Sequence, residues 1–155
     1  MRFLFTLFFT LLALLATPSI AYGPFEIQKF EYYVSLSPSR VSYSSFTFYD
    51  STSGICTECK YRAGRSYGYE APNPLPSNFT TCDNTDVKWK YQAEGQIIYV
   101  EFGYWQKNGY EQKPDWVRIL ANGTVIPTAC SSYGYYGYLC TPRETRYLTD
   151  FVAVI

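Results

Sequence analysis

From residue 25 to the end of the chain, short stretches of alternating apolar and polar residues are separated by turn residues. A period of two places alternate side chains on opposite faces of a strand. Residues 25–36 predict a first, irregular strand with Phe30, Tyr32 and Val34 on one face. After the turn Ser37-Pro38-Ser39, residues 41–50 predict a second, with Phe46 and Phe48 opposed to Tyr43, Thr47 and Tyr49. Asp50-Ser51-Thr52-Ser53-Gly54 is a turn, and residues 55–62 a third strand. Residues 63–79 contain Pro72, Pro74 and Pro76 and predict a long surface loop, since proline cannot donate to a ladder.

The second half continues in the same way. Val87, Trp89 and Tyr91 alternate with two lysines, and Ile98, Val100 and Phe102 alternate with Ile97, Tyr99 and Glu101. Ala93-Glu94-Gly95 between them predicts an antiparallel hairpin. Lys107-Asn108-Gly109 is a further turn. Asn122-Gly123, between residues 116–120 and 124–126, is the strongest hairpin signal in the chain. Residues 147–155 predict a last strand. The pattern is all-β: a single antiparallel barrel or sandwich of roughly eight short strands. Aromatics make up 20% of the chain, and this composition favours strands.

The opening residues follow a different pattern. Arg2 precedes an almost unbroken apolar run from Phe3 to Leu15, then Pro18 and the small residues Ser19 and Ala21. This predicts a secretory signal over residues 1–21, cleaved before Tyr22, with residues 22–155 as the mature domain. The run falls short of the roughly 20 residues that cross a bilayer. The expectation is a secreted, extracellular protein that does not sit in a membrane and in which disulfides persist. Two sequons, at Asn78 and Asn122, are candidate N-glycan sites in surface loops.

Charge and composition exclude several functions. The formal net charge is zero, which gives no electrostatic footprint for nucleic acid. There is no histidine, so neither a Ser-His-Asp triad nor a Cys-His pair can form, and metals lose their commonest ligand. Asp83, Asn84 and Asp86 do not match the spacing of a calcium loop. There is no Gly-rich phosphate loop, and the expectation is no metal and no cofactor. Among the acids, Glu94, Glu101, Glu111 and Asp115 are candidates for a carboxylate pair only because they are acidic. A solvated face is the simpler reading, so the chain reads as a non-enzyme.

The five cysteines are an odd number. Cys56 and Cys59 match C-x-x-C, but no helix signal follows to stabilise a thiolate. Three residues along a strand span about 10 Å and end on opposite faces, which prevents a bridge between the two. One of them, Cys59 or Cys56, is expected to bridge Cys82. Cys130 is expected to bridge Cys140, closing a short loop worth on the order of 3 kcal/mol. The spare thiol suggests a disulfide-linked homodimer.

The segment between Cys130 and Cys140 holds Tyr133, Tyr135, Tyr136 and Tyr138 among serines and glycines. Tyr67-Gly68-Tyr69 is a smaller echo. Tyrosine gives large amphipathic contact area at low entropy cost, as in antibody paratopes. The four tyrosines are therefore a candidate binding loop, against the alternative that they form a lid on one end of the core. A planar row of exposed Trp105, Trp116 or loop tyrosines would instead mark a carbohydrate-binding module. Two acids about 5–9 Å apart in a cleft would mark a glycosidase.

The order of Phe25-x-Ile27-x-x-Phe30, the run Ser44-Ser45-Phe46-Thr47-Phe48-Tyr49-Asp50, a cysteine shortly after it, Cys82 before the hairpin with Val100-Glu101-Phe102, a late cysteine pair and an apolar end is similar to one family. It resembles the major Alternaria allergen-like family of small secreted fungal β-barrel proteins. The resemblance implies a fungal source and secretion toward a host. It also implies two bridges, Cys56 or Cys59 with Cys82, and Cys130 with Cys140. It implies no enzymatic residues. The doubled cysteine at 56 and 59 and the tyrosine-rich loop depart from the family's pattern. The function expected is a secreted, non-enzymatic, effector-like or allergen-like binding protein. Its partner would be a host extracellular protein or a cell-wall glycan.

Overall fold

The computed structural model describes residues 23–65, 71–106, 115–127, 129–142 and 144–154. The signal segment, Tyr67-Gly68-Tyr69, Lys107-Asn108-Gly109 and Glu111 lie outside them.

Strands β1 (Phe25–Ser35), β2 (Val41–Asp50) and β3 (Ile55–Arg65) form one meander. A second comprises β4 (Thr80–Thr81), β5 (Val87–Gln92), β6 (Ile97–Gln106) and β7 (Asp115–Thr124). The chain then adds β8 (Ala129–Ser132), β9 (Gly137–Thr141) and β10 (Arg146–Leu148) to the first sheet and β11 (Asp150–Val154) to the second. The orders are β3-β2-β1-β9-β8, with β10 also on β1, and β11-β7-β6-β5-β4. Every pairing is antiparallel.

The predicted alternation sets which side chains fill the space between the sheets. Phe25, Ile27, Phe30, Phe46 and Phe48 from the first sheet meet Val87, Trp89, Ile98, Val100, Phe102 and Ile119 from the second, all buried. Rings cross the interface: Phe46 meets Trp89 edge-on at 4.9 Å and Phe25 meets Phe102 at 5.2 Å. Such pairs add to the burial of apolar area. On β1 the alternation slips once. The pairing with β2 shifts between Gln28 and Glu31, and Lys29 adopts φ 53°, so that Ile27 and Phe30 both point inward. This bulge is the irregularity seen in the sequence.

The fold is a two-sheet sandwich, and the barrel half of the expectation is corrected. Among the described residues, the ladders end at β3 and β8 in one sheet and at β11 and β4 in the other. The gap between β3 and β4 is spanned by the Cys59–Cys82 disulfide and by the Asp83 amide donating to the Glu58 carbonyl at 2.8 Å. The opposite flank is spanned by the chain itself at Thr149, whose amide donates to the Asn122 carbonyl at 3.1 Å.

Three local expectations are also corrected. Asn122-Gly123 is not a hairpin turn but part of β7, paired with Tyr99 and Ile98 on one side, with Asn122 facing Asp150 on the other. Gly123 is required there because a Cβ would lie 2.9 Å from the Tyr147 carbonyl, where the chain crosses between sheets. Residues 147–155 are not one strand, because Thr149 divides them between the two sheets. Finally, the proline segment does more than cross the surface. Pro74 and Pro76 are buried, and their carbonyls accept hydrogen bonds from the Ser44 hydroxyl at 2.6 Å and the Tyr91 amide at 2.8 Å. Proline lacks a donor but keeps its acceptor, so it can satisfy strand groups that have no ladder partner.

Candidate functional site

The tyrosine-rich segment is a hairpin of β8 and β9 joined by a 3-10 turn at Gly134–Tyr136. Cys130 and Cys140 sit directly opposite each other and are bonded, with Cα atoms 4.1 Å apart. The tip is held against β1. The Tyr136 carbonyl accepts from the Leu36 amide at 3.0 Å and from the Tyr33 hydroxyl at 2.8 Å. Gly137 takes φ 147°, and a Cβ there would be 2.1 Å from the Val34 carbonyl. Only glycine permits so close an approach.

This anchoring holds the tip while its rings stay in solvent. Tyr135 is 97% exposed, Tyr133 and Tyr136 a little over half, and Tyr138 38%. The alternative of a lid on the core is thereby corrected for the loop tyrosines. The core lies between the sheets, and these rings stand outside it. Tyr33, on β1, is the tyrosine buried beneath them.

Beside the hairpin is a recess of about 370 Å³ lined by Tyr33, Arg40, Val41, Tyr43, Tyr133 and Leu139. The pairing of β1 with β2 and β9 creates it by aligning Leu139, Tyr33 and Tyr43 in one row. Tyr33 packs against Tyr43 at 5.7 Å and edge-on against Tyr133 at 6.3 Å. The Arg40 guanidinium lies 4.6 Å from the centre of the Tyr136 ring, an attractive cation–π geometry. Burial pushes the Tyr43 hydroxyl above its ordinary pKa, and the Glu31 carboxylate and neighbouring tyrosines add to this. Like any tyrosine, Tyr43 is protonated and able to donate at neutral pH, and the shift extends this further into alkali. The recess offers ring faces, hydroxyls and one cation, which equips it for recognition.

No family model, curated protein or solved structure matches this chain. The remaining candidates are placed by the structure alone. Cys59 is buried and bonded to Cys82, while Cys56 is exposed and free, on opposite faces of β3 as the spacing required. Asn78 is exposed just before β4, whereas Asn122 lies on a central strand, not in a loop. Trp105 and Trp116 are exposed and directly opposed on β6 and β7, with rings 5.1 Å apart at 64°. They are adjacent but not coplanar. Glu101 is largely covered and ion-paired with Arg118 at 2.7 Å. Glu94 is exposed in a turn, and Asp115 opens β7 opposite Gln106. Among the described residues no group of three His, Cys, Asp or Glu could hold a metal ion, and no helix is long and apolar enough to cross a membrane.

The sequence reading missed Tyr33, Tyr43 and Arg40 as parts of a site. Their signal was weak but present: Tyr43 falls on the face opposite Phe46, and Tyr33 is out of phase with Phe30.

Proposed function

We propose that this chain is a secreted, non-enzymatic binding protein, effector-like or allergen-like, that contacts a host extracellular protein or a cell-wall glycan. The observation that carries the reading is the rigidly anchored tyrosine hairpin. Its rings face solvent beside an aromatic recess, and its backbone is fixed by the bridge and by Tyr33. Pre-organised aromatic anchors bind at low entropic cost. Two disulfides are compatible with an oxidising compartment.

The test is a double change, Tyr135→Ala with Tyr136→Ala, compared with the parent for binding and for melting. The reading expects retention of the partner from host extracellular fluid to fall at least tenfold with Tm nearly unchanged. Unchanged binding, or a binding loss that tracks a large fall in Tm, overturns it.

A second reading, a carbohydrate-binding module, rests on the exposure of Trp105 and Trp116 on the other sheet, although their rings do not form a planar row.

A further inference from the structure

We infer that the outer face of the second sheet carries a saccharide subsite built on Trp116, for a neutral pyranose chain. The inference rests on the carbohydrate reading and is independent of the tyrosine hairpin.

Gly103 shapes the subsite. It faces Arg118 across the β6–β7 pair, and a Cβ at this position would lie 2.3 Å from Cζ2 and 2.7 Å from Cε2 of Trp116. Any side chain here would displace the indole. A glycine in a strand interior marks the close approach of another group, and here that group is the tryptophan ring. The indole thus lies over the backbone of β6, yet the residue stays 39% exposed. Trp105 flanks it edge-on.

Trp116 borders a depression that also takes in Gly103, Asp86, Lys88, Glu101 and Arg118. Its charges come in matched signs. Lys88 opposes Glu101 across β5 and β6, and Glu101 is ion-paired to Arg118 on β7. The carboxylates accept hydrogen bonds and the cations donate them, and a sugar hydroxyl does both. A ligand of either net charge would meet two like charges, whereas a neutral polyol meets only partners. A pyranose combines an apolar C–H face with a rim of hydroxyls. Trp116 suits the face, and the charged ring suits the rim. Apolar contact with a few fixed polar groups is the usual make-up of a small-ligand site.

Intrinsic fluorescence, read during titration of the full-length secreted protein with soluble laminarin, arabinoxylan and chitohexaose, tests the subsite. At least one sugar is expected to give a saturable change. Trp116→Ala should weaken that binding at least tenfold, read by calorimetry. Gly103→Ala keeps the ring but displaces it, and should weaken binding to a similar degree. Trp116→Tyr should retain part of it. The double change at Tyr135 and Tyr136 should leave it intact. If no sugar in the panel binds, both the subsite and the carbohydrate reading fail. If a sugar binds the parent and Trp116→Ala equally, the carbohydrate reading survives and the subsite is wrong.

Discussion

The Tyr33 hydroxyl donates to the Tyr136 carbonyl at 2.8 Å, joining a buried ring on β1 to an exposed residue at the hairpin tip. The tip's geometry therefore depends on a buried side chain of another strand. Tyr33→Phe removes the hydroxyl and leaves the carbonyl with one donor, the Leu36 amide. The expected cost is about 1 kcal/mol. Faster hydrogen exchange at Leu36 and at the tip should accompany a small fall in Tm. Unchanged exchange would show that the turn holds its shape without this bond.

The two neighbouring cysteines should behave oppositely. Cys56 is exposed and free, so a maleimide should label it without denaturant. Cys59 should appear joined to Cys82 in unreduced peptide maps. Cys59→Ala should cost about 2–5 kcal/mol, whereas Cys56→Ser should be nearly neutral. If the native protein runs as a reducible dimer, Cys56→Ser should abolish it. A Cys56–Cys82 peptide would contradict the placement of these residues.

Trp89 is fully buried against Phe46, and its indole nitrogen has no hydrogen-bond partner among the described residues. Trp89→Ala should cost about 3–5 kcal/mol in a urea titration. Trp89→Phe should cost much less, because it keeps a ring and removes a donor that finds no acceptor. Equal losses for both would mean that shape alone matters at this position.

Stability should fall in alkali. Burial raises the hydroxyl pKa values of Tyr32, Tyr43 and Tyr91 above the ordinary value. In the unfolded chain these groups ionise near pH 10. Their contribution is fully present below that pH and is lost as pH rises toward the higher folded values. Urea midpoints should therefore change little from these groups between about pH 7 and 9 and decline above about pH 10. A decline beginning well below pH 9 would point to other groups.

Alternation carried much of the fold and little of the site. The bounds of β2 and the inward faces of β5 and β6 follow directly from a period of two. Strand geometry excluded a Cys56–Cys59 bond but left open which of the two bridges Cys82; the packing of Cys59 on the inner face of β3 decides it. Asn122-Gly123 misled because its turn propensity is local, while pairing on both edges of β7 is not. The division at Thr149 was invisible because both halves are apolar and extended. The tyrosine hairpin was legible from composition. Its recess was not, because Tyr33 and Tyr43 lie in separate strands and only the β1–β2 register brings them together. Gly103 could not be linked to Trp116 for the same reason.

The crossing at Thr149 also bears on synthesis. β1 finds its partners β9 and β10 only after more than a hundred further residues have been added, and the second sheet gains its outer strand, β11, last of all. A nascent chain on the ribosome can form its early meander, but the inner faces of both sheets stay partly uncovered until the end has emerged. At about 5–20 residues per second this leaves several seconds of exposed aromatic surface. Truncation before Thr149 would make that interval permanent, so shortened chains should stay bound to chaperones or aggregate.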